Sequence, residues 1–119
     1  MSDEMKPIAK ATVKVSGASE GDHASKFRGA YALPPNDKGW APSMQLVFDC
    51  NSGEVATRIC PQDVTKNNAS GKLLAQMLGR PLQPKEEVDF GQFVGKLFVV
   101  RVELTESGSG TRVTKITPQ

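Results

Sequence analysis

The run KLFVVRVEL, residues 96–104, places Phe98, Val100, Val102 and Leu104 at every second position. Leu97, Val99, Arg101 and Glu103 fall between them. A strict period of two is the mark of a strand with one buried and one wet face. Strands of this kind must bury their apolar faces against each other and leave no cheap exposed edge. The rest of the chain therefore has to supply partners for this strand.

Three further segments have that character. In IAKATVKVS, residues 8–16, Ala9, Ala11, Val13 and Val15 alternate with Lys10, Thr12, Lys14 and Ser16. MQLVFDC and VATRIC flank NSGE, a hairpin signal. A two-residue turn centred on Ser52-Gly53 would pair Cys50 with Val55, Phe48 with Thr57 and Leu46 with Ile59. That register turns Met44, Leu46, Phe48, Cys50, Val55, Thr57 and Ile59 inward, and Arg58 and Cys60 outward. It also separates the two cysteines beyond the ~7 Å that a disulfide tolerates between Cα atoms. Unpaired thiols suit a reducing compartment, and without close spacing or His partners they do not suggest a metal site.

The final strand is TRVTKIT, residues 111–117, reached through the ESGSG tip. Val113 and Ile116 are three apart and share a face only if a bulge intervenes near Thr114-Lys115. Between the third and fourth strands the period changes. Leu73, Leu74, Met77 and Leu78 recur at helical spacing, Asn67, Asn68 or Ser70 can cap the start, and Gly79 with Pro81 ends the helix. DFGQFVG, residues 89–95, reads as one more helical turn with Phe90, Phe93 and Val94 inward.

A chain of 119 residues suits a single domain. Residues 1–7 read as a flexible lead-in, and residues 17–43, rich in Gly, Ser and Pro, as one long connection between the first two strands. The expected fold is all-β with one short helix: a five-stranded Greek-key barrel of the OB-fold type, helix between strands three and four. A flat sheet covered by the helix is the rival arrangement.

The second half of the chain carries a recognisable series. Ser70-Gly71-Lys72-Leu73-Leu74 is followed by Leu78-Gly79, Asp89-Phe90 and Val94-Gly95-Lys96, then by Gly108 to Gly110, Val113, Ile116 and Pro118. This series resembles small domains of bacteriophage and bacterial genomes that look like the OB-fold proteins of phage replication and recombination modules. The resemblance implies single-stranded DNA binding, and it covers the first half only by strand order. Bacterial single-strand-binding proteins commonly add an acidic tail that recruits partners. This sequence stops at Pro118-Gln119, so a recruiting role is not expected.

Five Phe, one Tyr and one Trp are the whole aromatic complement. Phe27, Tyr31 and Trp40 lie together in FRGAYALPPNDKGW, broken by Gly29, Pro34, Pro35 and Gly39. Beside Lys26, Arg28 and Lys38 they have the mixture of rings and cations that single strands bind by stacking and phosphate contact. Equally, they could fold back as a plug on the barrel end. Lys14, Arg58, Arg101 and Arg112 sit at nominally wet strand positions and complete the expected nucleic-acid set. Lys10, Lys14 and Arg58 would form one stripe if the first three strands adjoin.

The net charge of +2 does not by itself announce a nucleic-acid binder. His23 is the single histidine, and no Walker A, G-x-G-x-x-G or Cys-x-x-Cys motif occurs, so catalysis, cofactors and metals are not expected. No apolar run approaches the ~20 residues of a membrane span, and MSDEMKP lacks the features of a signal peptide. The expected compartment is the cytoplasm. Leu97, Val99 and Val47 on wet faces leave room for a homodimer or a replication-protein partner.

Overall fold

A computed structural model describes residues 15–34 and 41–119. Among them, five strands form one antiparallel sheet: β1 (Gly21–Ala32), β2 (Ser43–Cys50), β3 (Val55–Pro61), β4 (Leu97–Leu104) and β5 (Thr111–Pro118). One helix, α1 (Ala69–Leu78), lies between β3 and β4. The spatial order is β3-β2-β1-β4-β5, and the sheet is not closed by a backbone ladder between β3 and β5. No described helix is long and apolar enough to cross a membrane.

The long connection expected over residues 17–43 contains instead the sheet's central strand. β1 pairs with β4 from Gly21 to Lys26 and with β2 from Ser25 to Ala32. Its alternation is hidden in the sequence because its covered positions hold mostly small residues, Ser25, Gly29 and Ala30, with Phe27 the one large ring. An extra residue also breaks the period: Phe27 faces Phe48 and Gly29 faces Val47, so Arg28 is unopposed. Of the strand expected over residues 8–16, residues 8–14 lie outside the described residues. Ser16 makes an isolated parallel bridge to Gly110.

The β2–β3 hairpin is present, one residue out of the expected register. Asp49 faces Val55, Phe48 faces Ala56, Leu46 faces Arg58 and Met44 faces Cys60. The turn has three residues, not two. Gly53 N–H donates to the Cys50 carbonyl at 2.9 Å and Gly53 takes φ +92°, a left-handed conformation open to glycine. A one-residue slip exchanges the faces of a strand. Ala56 and Cys60 therefore enter the core, while Val55 and Ile59 are exposed. Both cysteines are free and buried. The expected bulge in β5 is present, since Arg101 faces Lys115 and Val102 faces Val113, leaving Thr114 over.

Asn68 caps α1 by accepting from Gly71 N–H at 2.9 Å, and Gly79 ends it in the left-handed conformation. Leu73, Leu74 and Met77 pack on the sheet. The 3₁₀ turn Phe90–Phe93 buries Phe93 and half-buries Phe90, while Val94 is exposed. The core centre is aromatic. Phe27 lies 5.2 Å from Phe48, 6.3 Å from Phe93 and 6.5 Å from Phe98, the last two edge-to-face. Such tilted pairs add to the large area each ring buries.

One side-chain bond joins β3 to β5, and another ties β5 to α1. Arg58 Nη1 donates to the Val113 carbonyl at 3.1 Å, and Gln76 of α1 accepts from Ile116 N–H at 2.6 Å. Across the following loop, Arg80 pairs with Glu86, which also accepts from Gln83 N–H at 2.9 Å.

Gly71 is the tightest glycine in the fold: a Cβ there would lie 1.8 Å from the Thr65 carbonyl oxygen. Gly71→Ala must displace backbone, and we expect a loss of about 2–3 kcal/mol, read from the urea midpoint. The Arg80 contact, then the Gln83 N–H, holds the Glu86 carboxyl down at about 2 against an ordinary 4.5. A lowered folded value contributes stability above pH 4.5 and loses it as pH falls toward 2. Between pH 5 and pH 2 the melting temperature of Glu86→Gln should fall less than that of the parent chain.

Candidate nucleic-acid interface

Phe27 and Tyr31 are four residues apart, an even spacing that puts two side chains on the same face of a regular strand. Arg28, the unopposed residue of β1, changes that parity. Phe27 points inward and is 1 % exposed, whereas Tyr31 points outward and is 48 % exposed. Phe27 is therefore not a stacking surface. Its ring is a core plug held by Phe48, Phe90, Phe93 and Phe98.

The Tyr31 ring lies across the backbone of Gly29. A Cβ on Gly29 would stand 3.1 Å from Tyr31 Oη and 3.2 Å from Cζ, so glycine lets the ring rest against the strand. Gln45 faces Tyr31 across β2 and Val47 faces Gly29. Val47 is buried although it lies outside the core cluster.

Arg28 turns its fork onto Asp49. Nε donates to Oδ2 at 3.0 Å and Nη2 donates to Oδ1. The hydrogen bond from Arg28 is the main cause holding the Asp49 carboxyl below its ordinary range, and the same bond raises the Arg28 guanidinium. The bidentate geometry suits a phosphate as well as a carboxylate. Lys26 faces Asp49 in the ladder and is exposed. Arg101, opposite Asp22, lies 3.7 Å from that carboxylate and 3.6 Å from Glu103. The outer face thus carries its cations in the company of Asp22, Asp49 and Glu103.

The remaining expected residues fall elsewhere. Arg58 was expected on a wet face; with the hairpin slip it sits opposite Leu46 and is half-buried beside β5. Burial, then the charge of Arg112, lowers the Arg58 guanidinium from its ordinary value. Arg112 on β5 is also half-buried. Lys14, Trp40, Lys10 and Lys38 lie outside the described residues, so the expected Lys10–Lys14–Arg58 stripe reduces to Arg58 here. His23 is on β1, not in a loop, and its Nε2 is 2.7 Å from the Ser19 carbonyl. Asp22 beside it faces Arg101 instead. Among the described residues, no three His, Cys, Asp or Glu side chains gather as a metal would require.

Sequence reasoning missed the Arg28–Asp49 fork and the Gly29 seat for Tyr31. Both depend on the β1–β2 pairing, which no local signal announces. A comparison with protein-family models finds no match, and a search among curated proteins finds no relative.

The two rings separate by experiment. Phe27→Ala should cost about 3–5 kcal/mol of stability as a core cavity, whereas Tyr31→Ala, an exposed truncation, should stay within about 0.5 kcal/mol. Urea unfolding followed by circular dichroism reads both.

Proposed function

We propose that this chain is an OB-type barrel that binds single-stranded nucleic acid, most simply DNA, without catalysis. The observation that carries this reading is the open face of Tyr31, seated on Gly29 beside the Arg28 fork. A base stacks on the ring and the adjoining phosphate takes the place of the Asp49 carboxylate on Arg28. Lys26 and Arg101 extend the contact along β1 and β4.

The fold supports the reading. The order β3-β2-β1-β4-β5, with a helix between β3 and β4 and an opening between β3 and β5, is compatible with a partly open five-stranded barrel of the OB type. Ligands of that fold meet the second and third strands and the loops after the first and fourth. Tyr31 stands at the end of β1 where the chain leaves for β2. A place in phage or mobile-element replication, in the cytoplasm, follows the resemblance in the second half of the sequence.

A second reading rests on one observation. Leu97 is 46 % exposed on the outer face of β4, next to half-buried Val99. An interaction barrel would use that strip to pair with a copy or a replication partner. Light scattering after size exclusion distinguishes a dimer from a monomer.

Titration of a fluorescent oligo-dT tests the main reading. We expect binding at low salt that weakens at moderate salt. Tyr31→Ala should lose about 1–3 kcal/mol of binding, roughly 5- to 150-fold. Asp49→Asn removes the carboxylate that competes with the phosphate for Arg28 and should tighten binding. No binding at low salt overturns the reading.

A further inference from the structure

Arg58 on β3 and Arg112 on β5, the two edge strands, make no ion pair among the described residues, although Glu103 is the ladder partner of Arg112. Arg58 extends from β3 and donates through Nη1 to the carbonyl of Val113, the residue after Arg112 on β5. The Nε atoms of both arginines are closed to solvent and have no hydrogen-bond partner. Among the described residues, the ion pairs join Arg28, Arg80 and Arg101 to carboxylates and include neither Arg58 nor Arg112. The two cations thus stand on edges with no ladder between them, and the Arg58 bond reaches the residue next to Arg112.

We propose that Arg58 and Arg112 form an oxyanion seat on the β3–β5 seam, taking a phosphate-type group whose binding ties the two free edges together. A tetrahedral phosphate offers enough acceptor oxygens to serve two guanidinium forks at once, while a single carboxylate is filled by one. The charge of Arg112, which opposes that of Arg58, becomes favourable once an anion lies between them. The seat does not depend on the Tyr31 face. Its ligand is either free phosphate or a phosphodiester of a nucleic acid.

The test is thermal melting of the full chain in sodium phosphate against sodium chloride at equal ionic strength. Phosphate at ten times its Kd should raise the Tm by roughly 5 °C. Arg112→Gln should abolish the rise while leaving the Arg58–Val113 bond in place. Arg58→Gln should abolish it too, and Arg112→Gln keeps the test valid if that second variant fails to fold. An equal Tm in both salts, or an undiminished rise in Arg112→Gln, overturns the seat. Oligo-dT separates the sources. If Arg112→Gln weakens oligo-dT binding, the seat holds a phosphodiester. If oligo-dT binding is unchanged while the phosphate-dependent rise is lost, it holds free phosphate.

Discussion

One unopposed residue sets the character of this fold. Arg28 has no partner in the β1–β2 ladder, and that extra residue sends Phe27 and Tyr31 to opposite sides of the sheet. Without it both rings would lie on one face. With it, Phe27 enters an aromatic core that also holds Phe48, Phe93 and Phe98, and Tyr31 is left as an open ring. A bulge also sharpens strand twist, and β1 passes here from one neighbour to the other. The packing of the interior and the chemistry of the surface are coupled through this one position.

The electrostatics of the outer face follow a matching pattern. Arg28 and Arg101 are not idle charges; each rests near a carboxylate. Exposed pairs of this kind contribute little to stability and are screened by salt. They hold the guanidinium in position while keeping the face nearly neutral, in line with the modest net charge. On the proposed reading, a polyanion exchanges with the carboxylate instead of meeting a bare cation, which favours reversible contact. At the seam the situation is reversed: Arg58 and Arg112 are half-buried and make no ion pair among the described residues.

How far this could be read from the sequence depends on side-chain size. β2, β4, β5 and α1 were legible because large apolar residues recur at clear periods and turns are marked by Gly, Asn and Pro. The bulge at Thr114 was legible from the odd spacing of Val113 and Ile116. β1 was not, because Ser25, Gly29 and Ala30 occupy its covered positions and give no apolar rhythm. The hairpin slipped by one residue because Ser52-Gly53 suits a two-residue turn as well as the three-residue turn observed. That slip carried Arg58 and Cys60 to the wrong face. For the candidate site, the residue types in FRGAY singled out the segment on which the proposal rests, but which of Phe27 and Tyr31 faces outward requires knowing where the bulge falls.

The division of labour between those two rings is open to direct observation. In an NMR titration of the labelled chain with oligo-dT at low salt, the side-chain ring resonances report each aromatic separately. Stacking on the outer face predicts that the Tyr31 ring signals move progressively to saturation while those of Phe27, Phe48 and Phe98 stay in place. Tyr31 signals that stand still at saturating oligonucleotide, or core phenylalanine signals that move in their stead, would contradict it.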